Sequence, residues 1–418
     1  MSVTAVAAEH ADLVAQQVTT ATIAGRVRGE QQEAVDGAVV RVVNRATGYA
    51  LQTDSREGRF VFAGLPVGGP YSIVVERIGY RPAKRDSIFL ALGEQLQLDF
   101  ALLLFASTLD TLRVVAAEPR GQSFARYGIG TAISDSALHR LPTIDRDMYD
   151  FVRLTPQVSA RSGSGSLSAG GVGVRFNNFL VDGVSERGLL GNFAAGTGQG
   201  AKAISIEAVK EYQVLLSPYD VRYGDFAGGL VNAVTRSGTN ELHGTAFVYA
   251  RGEELARGTE FLRERPYQRT QFGFAIGGPI ARDRAHFFVA TELQRLTSPA
   301  SGPYVGQSVG SEVGLPVSEG DVTRFVEVLH GHGIEAGSAG PIEVGNPLVN
   351  FFGRIDVALP EWRSRLVLWN NYSRAENIVF TRGSSTSSLT RGAESFQLSS
   401  TGRTSTVAKE VAAAQLYT

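Results

Sequence analysis

The segment spanning residues 206–244 constrains this chain most, because two kinds of sequence meet in it. It opens as a strand-like run over residues 206–215, breaks at Pro218, and re-enters an apolar strand over residues 230–235. Before it, short helical and strand patterns are mixed. After it, apolar and polar residues alternate with a period of two, which is typical of β-strands. We therefore predict that a compact domain joins a sheet of long strands here.

The alternation begins after His243 and is clearest over residues 351–359, where Phe351 and Ile355 alternate with Arg354 and Asp356. An apolar face beside an ion-carrying face suits a strand that separates lipid from a wet interior. A strand of a soluble sandwich also alternates, so the pattern favours a membrane barrel only modestly. We further predict that residues 230–235 lie inside the curved antiparallel wall that residues 244–251 begin.

Polar and glycine-rich stretches interrupt the alternation at residues 297–345 and 381–405, and we predict loops there, the first with a short helix near residues 322–329. Aromatic side chains at the ends of membrane strands often form interfacial girdles. Ordinary packing explains the phenylalanine among the candidates equally well. The candidates are Phe247, Tyr249, Trp362, Trp369 and Tyr372.

Short β-branched strands with turns about every ten residues predict a small β-sandwich over residues 22–105. Within it, Phe60 and Phe62 should point to one face of a strand, with Arg59 and Val61 on the other. Over residues 121–238 the pattern changes: a short helix should begin near Ser134 or Asp135, a second should cover residues 147–154, and strands should lie near residues 178–181 and 209–215.

Composition excludes several classes. The formal net charge of −1 gives no bulk attraction to nucleic acid. The absence of cysteine removes disulfides and thiolate metal sites, and no apolar run is long enough for a membrane helix. His332 and Glu335 have the spacing of a zinc motif, but no histidine follows to complete it. We expect no enzyme, no cofactor and no metal.

Two sets of residues stand in a fixed order along the chain. The order of Asp54, Gly58, Phe60, Leu65 and Tyr71 is similar to the carboxypeptidase regulatory-like domain. The second set, which we call the plug motif, comprises Asn178, Asp182, Gly183, Tyr223, Gly224, Gly228, Gly229 and Asn232. This second set resembles the plug domain of TonB-dependent outer-membrane transporters, and most closely that of the Oar-like group. Two roles are open for Asp182, which can either form a turn or bind a substrate. Asp220, Arg222 and Asp225 are candidates for ion pairs between plug and barrel, or simply solvated loop charges.

The resemblance implies a mostly β protein with a periplasmic amino-terminal sandwich, a small α/β plug and an incomplete transmembrane antiparallel β-barrel. A connector would carry the TonB box, a peptide that pairs edge-on with an energy-coupling partner; a plain linker or last sandwich strand is the alternative. The candidate box is Asp110, Thr111, Leu112, Arg113, Val114 and Val115. The predicted segments are a tail or signal-peptide remnant (1–21), sandwich (22–105), linker (106–120), plug (121–238) and first barrel strands (239–418).

The expected function is energy-coupled uptake of an unknown external substrate, with outer-membrane lipid and a TonB-type protein as partners. After Gly238, 418 − 238 = 180 residues remain, enough for about five or six barrel strands of the about 22 that surround a plug. We therefore expect an amino-terminal portion of a transporter. A secreted or surface β-rich adhesin or glycan-binding protein is the alternative, although we find no internal repeat to support it.

Overall fold

The structure is a computed structural model, and its strands fall into three units along the chain. The described residues are 19–105, 129–143, 146–161, 166–173, 176–186, 202–216, 223–224, 226–252, 267–300, 305, 318–380, 384–385, 395–396, 398 and 403–417. Among the helices within these ranges, none is long and apolar enough to cross a membrane.

The first unit contains eight strands in two sheets that share one core. One sheet has the order β4-β1-β7, with β8 also on β1, and the other has the order β3-β2-β5-β6. Phe60 and Phe62 are buried while Val61 is exposed, as the alternation predicts. The strands are β1 (Thr20–Arg28), β2 (Val39–Asn44), β3 (Ala50–Asp54), β4 (Arg59–Pro66), β5 (Gly68–Glu76), β6 (Ala83–Leu90), β7 (Gln95–Gln97) and β8 (Phe100–Ala101).

The central unit combines two short helices with a five-stranded sheet of order β13-β12-β15-β14-β9, plus the hairpin β10-β11. Only β12 and β15 run parallel to each other. Helix α1 (Asp135–Arg140) follows Ser134 as predicted, and α2 (Tyr149–Val152) is shorter than predicted. The strands are β9 (Ile129–Ile133), β10 (Val158–Arg161), β11 (Ser166–Ala169), β12 (Asn178–Val181), β13 (Val184–Ser185), β14 (Val209–Leu216) and β15 (Gly229–Thr235).

Residues 230–235, which were predicted to lie inside the wall begun by residues 244–251, do not pair with the strands of that wall. Strand β15 pairs with β12 and β14 of the central unit instead. Every residue of β15 is buried, and a strand that lacks a solvent or lipid face belongs in the middle of a covered sheet. The change from compact unit to long strands therefore follows β15.

The third unit is an antiparallel sheet whose six long strands pair in the order β16-β17-β18-β20-β21-β24. The predicted loop helix is α3 (Glu319–Gly331). Ser318 caps α3 in a capping box with Asp321. The strands are β16 (His243–Gly252), β17 (Gln268–Ala281), β18 (Ala285–Pro299), β19 (Glu343–Gly345), β20 (Leu348–Leu359), β21 (Ser364–Val379), β22 (Ser384–Ser385), β23 (Ser395–Phe396) and β24 (Arg403–Tyr417).

The long strands expose large apolar side chains on one face and bury polar side chains on the other, which is the opposite of the usual distribution in a soluble protein. Phe274 and Phe351 are more than 40% exposed, whereas Glu292, Asn350 and Arg354 are at most 8% exposed. The buried face of the sheet packs against the central unit, because Phe288, Phe352 and Trp369 share a core cluster with Phe151 and Tyr212. The assignment of Trp369 to an interfacial girdle is therefore wrong, since its ring is 3% exposed and lies 6.3 Å from that of Phe352.

Candidate functional site

Charged and amide side chains fill the contact between the central unit and the inward face of the long strands. We call this contact the buried polar interface. Its residues come from the turns of the central unit on one side and from β18, β20, β21 and β24 on the other. They form three groups, centred on Asp182, Glu292 and Glu186.

The first group is built on the turn that follows β12. Asp182 adopts a left-handed backbone with φ +46°, and Gly183 follows at φ +80°. The Asp182 carboxylate accepts hydrogen bonds from the Thr235 backbone N–H at 2.9 Å and the Thr235 hydroxyl at 2.6 Å. It also accepts from Nη1 of Arg354 on β20 at 2.8 Å. This carboxylate therefore fixes a turn and joins two units at once.

Arg354 is held from both ends. Its Nε and Nη2 donate to the two carboxylate oxygens of Asp356 at 2.7 and 2.8 Å, and its Nη1 reaches Asp182. Arg365 on β21 approaches Asp356 at 3.4 Å. The two guanidinium groups and the two carboxylates balance in charge, which is what a buried ionic cluster needs to offset desolvation.

The second group surrounds Glu292 on β18, which is fully buried. Lys202 forms a buried ion pair with its Oε1, and the Ser205 hydroxyl donates to its Oε2 at 2.8 Å. The Ser205 backbone N–H donates to Asn350 Oδ1 at 3.1 Å. Because both carboxylate oxygens are occupied, this strand residue anchors the segment that leads into β14.

The third group joins the central unit to β21 and β24. Lys409 Nζ lies 2.5 Å from a carboxylate oxygen of Glu186. Asn371 Nδ2 donates to the Ala203 carbonyl at 2.8 Å, and the Ser373 hydroxyl donates to the Lys202 carbonyl at 2.9 Å. These side-chain contacts connect the central unit to the far strands of the sheet.

The predicted plug motif is brought together around the central sheet. Asn232 Oδ1 accepts the Gly183 N–H at 3.2 Å, and Asn178 Oδ1 accepts from the Ser185 hydroxyl at 2.9 Å. At Gly228 a Cβ would lie 2.3 Å from Asn177 Oδ1, and at Gly229 it would lie 2.5 Å from the Ala169 Cβ. The paired glycines are needed because neighbouring side chains occupy that space.

The other two motif positions are less constrained. Tyr223 packs against the small apolar cluster of Leu180, Leu215 and Leu230. At Gly224, no atom of the described residues lies within 4 Å of the position that a Cβ would take. The motif therefore divides into a tightly packed part around β12 and β15 and an open part at residues 223–224.

Sequence reasoning missed the inward partners of these residues. Arg354 and Asp356 were predicted to share an ion-carrying face, but Asp182 was not paired with them. Lys202, Glu186 and Glu292 were not singled out at all. The sequence did contain one signal for these partners. A charged residue on the inward face of a long strand indicates that this face contacts polar groups.

Several predicted positions fall outside the described residues, namely the candidate box at residues 110–115 and the charges Asp220, Arg222 and Asp225. The zinc-like pair of His332 and Glu335 lies just after α3, where both side chains are exposed. Within the described ranges, no group of three or more metal-ligating residues comes together.

Comparison with known protein families gives two matches. The model described as a carboxypeptidase regulatory-like domain matches residues 22–103. The model described as an outer membrane beta barrel domain matches residues 234–307. The first match covers the two-sheet unit, and the second runs from the end of β15 through β18.

Two curated proteins illustrate the similarity. The TonB-dependent transporter Oar of Myxococcus xanthus is 26% identical over 288 residues, which are 64% of this chain and 26% of that protein. The probable TonB-dependent siderophore receptor PirA of Acinetobacter baumannii is 30% identical over 190 residues, 42% of this chain and 23% of that protein. The chain spans about a quarter of the length of these relatives.

Among solved structures, the ferric enterobactin receptor of Pseudomonas aeruginosa superposes with a TM-score of 0.39 at 19% identity. That match covers 60% of this chain and 33% of the receptor chain.

Proposed function

The chain is a relative of the TonB-dependent transporters, and from that premise we propose that its parent protein is an energy-coupled receptor and transporter of the outer membrane. The central unit would serve as the plug and the third unit as part of the barrel wall. The first unit would lie in the periplasm. A substrate would bind from outside and pass inward without covalent chemistry in the chain.

The observation that carries this proposal is the inverted sheet. Phe274, Phe351 and Ile355 point outward from the long strands, while Glu292 and Arg354 point inward onto the central unit. The apolar outer face is suited to contact with lipid, and the polar inner face is suited to the interior of a barrel. A secreted adhesin has no need for large apolar side chains over the outer face of a sheet.

The buried polar interface explains how such a plug could be both secure and removable. Removing one partner of a buried ion pair typically costs about 3–5 kcal/mol, so the pairs of Lys202 with Glu292 and of Arg354 with Asp182 resist spontaneous movement. A partner that pulls on the chain would break the pairs together. The charged groups left on the strands would then be hydrated by water in the opened lumen.

The pulling point would be the candidate box at residues 110–115. An extended peptide adds to an exposed sheet edge through backbone hydrogen bonds, and the energy-coupling protein would provide that edge. The box precedes the central unit in the chain, so tension applied there would reach the plug before the barrel strands.

Site-specific crosslinking in outer membranes tests the proposal. The substitution Leu112→Pro removes one backbone N–H from the box and fixes φ near −65°, so crosslinking to the energy-coupling protein should fall at least about tenfold, as expected for about 1.4 kcal/mol. The variant Leu112→Ile keeps the backbone donor and serves as the matched control. Recovery of the protein in the soluble fraction, or equal crosslinking of both variants, would count against the proposal.

A further inference from the structure

The three units meet around a cavity of about 190 Å³, which we call the junction cavity. Its charged lining comes from the central unit and from the strand ends of the third unit, and it comprises Asp135, Lys210, Arg236, Arg284, Asp356 and Arg365.

The walls of the junction cavity are held together by direct hydrogen bonds. The Asn240 backbone N–H donates to the Ala46 carbonyl of the first unit at 2.8 Å. Lys210 Nζ donates to the Val67 carbonyl at 2.8 Å. The first unit thus forms one side of the cavity, and residues of all three units line it.

The charges that line the cavity do not balance. Four cationic side chains face two carboxylates, which leaves 4 − 2 = +2. Both carboxylates are already engaged, because Asp135 pairs with Arg236 and Asp356 receives Arg354 through two hydrogen bonds. Among the described residues, no carboxylate lies within ion-pair distance of Lys210 or Arg284 to neutralise the excess.

Two further features mark a positive potential in this space. The buried Nε of Arg365 has no hydrogen-bond partner among the described residues. Burial lowers the pKa of Lys210 to about 8, with the nearby charge of Arg354 and Arg236 adding to the effect. A bound anion would accept a hydrogen bond from the unpaired buried donor. It would also stabilise the protonated form of the Lys210 ammonium.

We propose that the junction cavity binds a phosphate-class oxyanion, either free phosphate or the phosphate of a lipid headgroup. The lining excess of +2 matches the charge of about −1.5 to −2 that a phosphate monoester carries at pH 7. Guanidinium and ammonium donors are the groups that bind phosphate in proteins. The inference does not depend on transport, because it rests only on the charge and closure of the cavity.

Calorimetric titration of the full chain with inorganic phosphate, in a detergent that carries no phosphate, tests the site. Saturable binding of one phosphate is expected. Arg284 is exposed at a turn, so Arg284→Gln should fold normally and weaken binding about tenfold, as for the loss of one charged hydrogen bond. The matched control is Arg282→Gln, which changes an exposed arginine of the same turn that does not line the cavity and should leave binding unchanged.

A second arm identifies the source of the phosphate, because a short-chain phosphatidic acid, whose headgroup is a phosphate monoester, should bind more tightly than inorganic phosphate if a headgroup is the natural ligand. Tighter binding of either compound supports the site. The absence of saturable binding by both compounds would overturn it, as would equal weakening by Arg282→Gln and Arg284→Gln.

The pH dependence provides an independent readout. The negative charge of inorganic phosphate increases as the pH rises from 7.5, which by itself would strengthen binding. A fall in affinity between pH 7.5 and 9.5 would therefore report the loss of the Lys210 proton, with its pKa of about 8. Asp135, Glu211, Arg236 and Arg354 face this ammonium, and His243 and His286 also line the cavity. The variant Lys210→Arg keeps its charge and should retain binding at pH 9.5; a parallel fall in this variant would exclude Lys210 as a ligand.

Discussion

Arg354 shows how one side chain can couple two units. Its guanidinium spans Asp182 of the central unit and Asp356 of its own strand, and it is 8% exposed. The substitution Arg354→Met fills similar volume but leaves two buried carboxylates without their main partner. We expect the free energy of unfolding to fall by about 3–5 kcal/mol, measured in detergent by urea titration with tryptophan fluorescence.

The matched control for this substitution is Arg374→Met on the neighbouring strand. Arg374 pairs with Glu376 at 2.8 Å, but its side chain is about half exposed, so the loss should stay below about 1 kcal/mol. Equal losses from the two substitutions would show that Arg354 contributes no more than a surface ion pair, and the account of the buried polar interface would then be wrong.

At the scale of whole elements, Gly238 sits where the central unit passes to the long strands. A Cβ at this position would lie 2.2 Å from the Phe287 carbonyl oxygen and 2.7 Å from that of Gly278. Both are strand backbone atoms and cannot move aside. We expect Gly238→Ala to lower the free energy of unfolding by about 1–3 kcal/mol, the usual range for overpacking, measured by the same urea titration.

Gly224 provides the comparison, because a Cβ there would meet no atom of the described part of the chain within 4 Å. Gly224→Ala should therefore be nearly neutral even though it belongs to the predicted motif. If Gly224→Ala proved as harmful as Gly238→Ala, close packing against β17 and β18 would not be the reason that residue 238 is glycine.

Local patterns were enough to predict the elements whose signals lie within a few residues. Ser134 marked the start of α1, the helix predicted near residues 322–329 lies within α3, and the alternation over residues 351–359 marked most of β20. Strand β24 was missed because residues 403–417 contain four alanines together with a lysine, a glutamate and a glutamine, all of which favour helices. Pairing with β21 along the whole of β24 overrides that preference, and no short window of sequence contains this information.

The site shows the same limit. The motif placed Asp182 correctly on a turn beside β12, but its partner Arg354 lies 172 positions further along the chain. Alternation indicated that Arg354 and Asp356 share a face without indicating what that face meets. Pairing of distant charges depends on how the units dock, and docking depends on the summed shape of both surfaces.

The proposal for the whole molecule requires that the outer face of the long strands contacts lipid. Two adjacent residues of β17 test this requirement. Because the chain has no cysteine, Phe274→Cys and Ala275→Cys each create one labelling site, 47% and 6% exposed in the parent. In proteoliposomes, a fluorophore at position 274 should be quenched by brominated lipid, since strand neighbours point to opposite faces. Position 275 faces the central unit and should resist both labelling and quenching. Quenching at position 274 by aqueous iodide but not by brominated lipid would place this face in water and contradict the membrane assignment.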